Sequence, residues 1–138
     1  MHEGWYADVY FVLFDAEEVG PSGVRYGIPE ALPGFRLRGL CGWDDFLVQD
    51  SSDNLFRVPT VPLVPKYLEP FSGLPSETSL RSDPKLAGRI KWYTKPIVFG
   101  GQPGLGENVS WVDHFQHAEL VRWWNAKYSE VQGARLDA

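Results

Sequence analysis

Cysteine is nearly absent from this 138-residue chain, and the single residue, Cys41, excludes an internal disulfide and suits a reducing compartment. No apolar run approaches the roughly 20 residues needed to span a bilayer. The opening Met1-His2-Glu3-Gly4-Trp5 lacks a basic stretch followed by an apolar one, so a secretory signal is not expected and the cytoplasm is the default location. Basic excess is missing too, with a net charge of −5. Residues 1–60 hold ten Asp or Glu against four Arg, and residues 61–138 hold eight against nine Lys or Arg. A broad basic face for nucleic acid is therefore not expected, and neither is a membrane partner. Internal repeats and low-complexity tracts are also absent.

What the chain has in quantity is apolar and turn-forming residues. Hydrophobic residues make up 43% and aromatics 14%, with six Trp, which implies a packed core in one domain over residues 1–138. Fourteen Gly and eleven Pro imply many turns and few long helices. The chain is organised around Leu32 to Pro59. Leu32-Pro33-Gly34 is a turn, Gly39 and Gly42 separate a first strand from a second, and Asp50-Ser51-Ser52-Asp53-Asn54 is a polar hairpin tip. Pro59, Pro62 and Pro65 close the unit. A three-stranded antiparallel meander is expected here.

Before it, Trp5 to Phe14 reads as one central strand covered on both faces. Asp15 to Val19 reads as one helical turn, capped by Asp15 with Glu18 completing a capping box, and ended by Gly20-Pro21-Ser22-Gly23. After it, Lys66 to Ser79 reads as a packed loop pinned by Tyr67, Leu68 and Phe71. Asp83-Pro84 and Gly88 bracket a helical start and stop only a few residues apart. Arg89 to Phe99 supplies one or two strands broken at Pro96, and residues 100–106 form a wide glycine loop. Asp113 and Gln116 make a second capping box. The helix behind it carries His114, His117, Leu120, Val121, Trp124, Tyr128 and Val131 on one face, and Gly133 is its expected stop.

Each chemical candidate has a plain structural counterpart. His114 and His117, spaced i, i+3, can share a metal on one helix face, yet no third or fourth ligand is evident. His117 lies mid-stripe, so a hydrogen-bonded core histidine binding no metal is expected. Asp44 and Asp45 fall on opposite faces of a strand and cannot form a dyad. A nucleophilic set of Cys41, His117 and an acid needs an adjacency that nothing in the sequence shows. The glycine loop lacks the lysine of a phosphate-binding P-loop and the GxGxxG pattern. The proline triplet at Pro59, Pro62 and Pro65 has the polyproline II period, but Arg57 and Lys66 are displaced from the usual basic position. From the residues alone, no cofactor, metal or catalytic set is expected.

One resemblance goes further. Glu17-Glu18-Val19, Tyr26-Gly27-Ile28, Leu32-Pro33-Gly34-Phe35, Leu37-Arg38-Gly39, Phe46-Leu47-Val48, Asn54 to Pro59 and Val61-Pro62-Leu63 resemble, in this order, the sheet core of the SUKH superfamily. That group holds Smi/Knr-type cell-wall regulators and bacterial toxin-immunity proteins. The resemblance covers about residues 10–65. The helical region and Asn-Gly-Gly element that usually precede the first strand are missing, Cys41-Gly42-Trp43-Asp44 replaces a glycine run, and residues 80–138 have no counterpart.

The resemblance implies an α+β fold; together with the residue pattern this gives an antiparallel or mixed sheet on a central three-stranded meander, with the C-terminal amphipathic helix packed on one face. It implies an immunity-type protein, without chemistry of its own, that binds a cognate toxin; the acidic first half suits a basic one. A monomer or a homodimer would serve. The competing class is a small enzyme or ligand binder with a site around Cys41, Asp44, Asp45 and His117. The expected partner surface is Asp44, Asp45, Asp50 and Asp53 around Trp43, with Trp43 either an exposed anchor or core.

Overall fold

Alternating apolar residues and short turns produce six antiparallel strands in sequential order in the computed structural model, which describes residues 1–103 and 106–137. They are β1 (His2–Tyr6), β2 (Val9–Leu13), β3 (Arg36–Cys41), β4 (Asp45–Gln49), β5 (Leu55–Pro59) and β6 (Glu69–Pro70). A second sheet pairs β7 (Ile90–Tyr93) with β8 (Val109–Val112), also antiparallel. Helices α1 (Ala16–Tyr26), α2 (Ile28–Ala31) and α3 (His114–Asp137) complete an α+β fold. The meander β3-β4-β5 stands as its sequence implies. Asp50 closes the tip, accepting hydrogen bonds from the Ser52 and Asn54 backbone N–H groups at 2.9 Å each.

The segment Trp5 to Phe14 departs from expectation. It is a hairpin, not one strand, because Ala7 takes a left-handed φ of 52° and reverses the chain. An alanine there gives no glycine or asparagine signal. Trp5 then pairs across from Tyr10 and shares its face, whereas a single strand would put them on opposite faces. β1 is an edge strand, and β2 is the one covered on both sides.

One side of the sheet packs Tyr10, Val12, Leu40, Phe46 and Val58 against Tyr26, Ile28, Ala118 and Val121 of the helices. The other buries Phe11, Leu13, Cys41 and Leu47 beneath Phe71, Leu74 and Leu80. The loop after β5 thus covers the second face with Phe71, while Leu68 packs on the first face and Tyr67, expected to pin the loop, is exposed. Asp83 to Gly88 forms turns without a named helix, and Pro96 ends β7 before a short 3-10 turn over Ile97–Phe99.

Helix α1 also overrides its punctuation. The capping box forms, with the Asp15 N–H donating to Glu18 at 2.8 Å, but the helix runs through Gly20, Pro21 and Gly23 to stop at Gly27, φ 78°. Ser22 and Gly23 are buried, and a Cβ on Gly23 would lie 3.9 Å from those of Ile28 and Leu37. Small residues let the helix approach β3, and burial there outweighs the local cost of glycine and proline.

Helix α3 starts at its capping box, Asp113 N–H to Gln116 at 3.1 Å and Gln116 N–H to Asp113 at 2.8 Å. It continues past Gly133, the expected stop. Its inward stripe is as read, with His117, Ala118 and Val121 buried and Trp124 half-buried against Phe99 at 4.9 Å. Asn125 ties the helix to the proline segment, accepting from Leu63 N–H and donating to the Thr60 carbonyl, both at 2.8 Å.

Two stability outcomes follow. A Cβ on Gly39 would sit 2.2 Å from the Val12 carbonyl oxygen, so Gly39→Ala must push β2 and β3 apart. Urea unfolding is expected to show a loss of about 2–3 kcal/mol. Trp124→Ala is expected to cost about 3 kcal/mol, while Trp123→Ala, at a position 59% exposed, costs under about 1 kcal/mol.

Candidate functional site

The turn between β3 and β4 builds the site. Gly42 and Trp43 both hold a φ of 61°, which reverses the chain over three residues and places Asp44 and Asp45 at the start of β4. Left-handed backbone is costly for tryptophan, and packing holds it there. Trp43 stacks on Tyr10 at 4.9 Å and meets Trp5 and Trp111 edge-on at 6.0 and 5.3 Å. It is 9% exposed, so it is core and not an exposed anchor.

β5 and β7 complete the walls. The Thr60 N–H donates to the Asp44 carbonyl at 3.0 Å, which fixes the end of β5 beside the turn. From β7, Lys91 Nζ donates to Asp44 Oδ2 at 2.8 Å and to the Tyr93 hydroxyl at 3.1 Å, and lies 4.5 Å over the Tyr93 ring. A cleft of about 180 Å³ opens between Asp44, Asp45, Pro59, Thr60, Val61, Trp92, Tyr93, Pro96 and Ile97.

Burial raises the carboxyls of both aspartates; the Lys91 bond offsets this at Asp44, and the Arg57 charge offsets it at Asp45. Burial alone would lower the Lys91 ammonium, but its bonds to Asp44 and Tyr93 lift it above the ordinary range. Lys91 is therefore a charged ammonium at neutral pH. Lys91 and Tyr93 escaped the reading of the sequence. The available signal was a lysine set directly before two aromatics in a strand, an arrangement that demands a buried counter-ion.

The four aspartates do not form one rim. β4 separates Asp44 and Asp45 from Asp50 and Asp53 by about 17 Å. Asp53 bonds Arg36 at 2.9 Å, and Asp50 is spent on its own loop. Asp44 lies in the turn and pairs with Lys91, while Asp45 opens β4 and pairs with Arg57 at 3.8 Å, so the two carboxylates have separate cations. The Cys41 and His117 alternative is split by the sheet. Cys41 lies among Phe11, Leu13 and Leu47, with its thiol raised by burial, while His117 packs with Tyr26 and Trp92 on the helix side.

His117 is a buried core histidine, sharing a 2.6 Å hydrogen bond between Nδ1 and the Tyr26 hydroxyl. Its Nε2 and that of His114 have no partner among the described residues. A different trio has spacing suited to an ion: His2, Asp15 and Glu77, with ligand atoms within 4.8 Å of one another. There the imidazole lies 2.8 Å from Asp15 and 3.2 Å from Glu77, and the Met1 ammonium bonds Asp15 at 2.6 Å. These contacts hold β1 to the start of α1. In the glycine loop, Asn108 donates to the carbonyls of Lys95 and Gln102, at 2.9 and 3.1 Å; Gly104 and Leu105 lie outside the described residues.

Compared with models of protein families, with curated proteins and with solved structures, the chain matches none.

Burial pushes the His117 imidazole down to about 3. Its unfolded value is about 6.5, so below that pH the unfolded chain takes up a proton that the native state refuses. Its contribution is complete above the unfolded value and is lost as pH falls toward the folded one. Between pH 6.5 and 5 unfolding should become easier by about 2 kcal/mol. His114, lowered by burial, acts in the same direction. Denaturation across this window is expected to show a clearly flatter slope in the double variant Tyr26→Phe, His117→Leu.

Proposed function

We propose that this protein is a binding module of the immunity type, which captures a cognate toxin and performs no chemistry of its own. The observation that carries this reading is the cleft at the head of the meander. It has two half-buried carboxylates and a lip where Ile97 is 49% exposed. Apolar side chains around a charged, partly desolvated centre are what an interface core needs. The net charge of −5 favours encounter with a basic partner. The sheet separates Cys41 from His117, so those two do not form a nucleophilic pair. No helix among the described residues is long and apolar enough to cross a membrane.

Co-expression with a candidate toxin from a neighbouring gene, where one is found, is the test. Restored growth together with an equimolar complex is the expected result, and a toxin neither bound nor neutralised would refute the proposal. Stopped-flow association then separates the two aspartate pairs. Asn at Asp44 and Asp45 is expected to slow binding and weaken its salt dependence. Asn at Asp50 and Asp53 is expected to leave the rate unchanged, because those carboxylates serve their own hairpin.

A further inference from the structure

We propose that His2, Asp15 and Glu77 form a site for one divalent transition-metal ion of the zinc type, which clips the segment after β6 to the edge of the sheet. The site shares no residue with the cleft, so it stands or falls apart from the binding-module reading.

Separate segments supply the donors. His2 lies opposite Leu13 in the β1–β2 ladder, and so shares the face of the sheet that the segment after β6 covers. Asp15 caps α1, and Glu77 opens the 3-10 turn Glu77–Ser79. His2 Nε2 lies 2.8 Å from Asp15 Oδ1 and 3.2 Å from Glu77 Oε2, and the donor atoms all fall within 4.8 Å of one another. Donor atoms around a tetrahedral zinc ion stand about 3.4 Å apart, so shifts of roughly half an ångström open these contacts around an ion. The other Asp15 oxygen, Oδ2, takes the Met1 ammonium at 2.6 Å, which leaves Oδ1 turned to His2. An outer partner of this kind fixes the orientation of a ligand.

The charges ask for a cation. Three carboxylates meet here, those of Asp15, Glu18 and Glu77, and among the described residues only the Met1 ammonium and the His2 imidazole pair with them. A divalent ion supplies the charge that an imidazole, positive by one at most, cannot. One nitrogen donor beside two carboxylates favours an ion of the zinc type, since magnesium and calcium prefer oxygen alone. Water completes the shell at the remaining position.

The ion would fasten the middle of a cover whose ends are already tied. Phe71 N–H donates to the Leu55 carbonyl at 2.9 Å, and Arg81 N–H to the Trp5 carbonyl at 2.8 Å. Glu77 stands between them, flanked by Leu74 and Leu80, which pack over the second face of the sheet.

The probe is zinc chloride, titrated into untagged, EDTA-stripped protein and followed by calorimetry and by NMR of the histidine side chains. Saturable uptake of one ion per chain is expected, with shifts at His2 and none at His114 or His117. His2→Ala and Glu77→Gln are each expected to weaken binding about tenfold or more. Both side chains are exposed, at 43% and 52%, and unchanged melting temperatures without metal show that the variants fold. Zinc is also expected to raise the melting temperature of the wild type and to slow hydrogen exchange across residues 74–80, and magnesium to do neither. No saturable uptake, shifts at His114 or His117 in place of His2, or unchanged affinity in His2→Ala overturns the proposal. Uptake that leaves exchange across 74–80 unaltered overturns the clip.

Discussion

The structure depends on one aromatic contact, the stack of Trp43 on Tyr10. Trp43 sits in backbone that a tryptophan would not adopt alone, and several elements meet on its ring. Trp5 and Tyr10 bring the β1–β2 hairpin, Trp111 brings β8, and Lys91 lies 6.0 Å away on β7. The ring joins the large sheet to the small one. It also pays for the left-handed turn that aims Asp44 and Asp45 at the cleft. The indole Nε1 has no partner among the described residues, a loss of order 1–3 kcal/mol that the packing of four aromatic rings offsets.

Charge follows the same division of labour. The chain looks strongly acidic over its first sixty residues, yet most of those carboxylates are committed within the fold. Asp15 and Glu18 hold the Met1 ammonium, Glu3 accepts from Tyr10 at 2.7 Å, and Asp53 meets Arg36. These exposed pairs contribute little individually, about 0–1 kcal/mol each. Their effect is to organise, by setting which loop lies against which. Asp45 is held more loosely, 3.8 Å from the Arg57 Nε, so the composition of the half-chain was a poor guide to its surface.

What the sequence showed plainly was local. The meander, its polar tip and both capping boxes rest on contacts within a few residues, and Asp50 or Gln116 announces them by type and spacing. What stayed hidden was set by distant packing. Ala7 reverses a hairpin with no turn residue to mark it, because the Trp5–Tyr10 contact rewards the fold-back at 5.3 Å. Gly20 and Pro21 fail to stop α1 because Ser22 and Gly23 find a buried seat on β3. β8 is too short to declare itself, and it exists because β7 offers it an edge. The same limit hid Lys91, whose partner Asp44 is 47 residues away and visible only once the two sheets are joined.

The sheet itself decides where function can reside. It divides Cys41 from His117, and each is enclosed by aliphatic or aromatic neighbours with no cleft leading to it. Burial lowers the His117 imidazole to about 3, so it is neutral under ordinary conditions. Its bond to Tyr26 instead fixes the rotation of α3 against α1, since a slip of one residue would swing both polar groups into apolar surroundings. That registry positions Asn125 on the Thr60 and Leu63 backbone, which forms one wall of the cleft. The interior histidine therefore bears on the shape of the cleft through the packing of α3 alone.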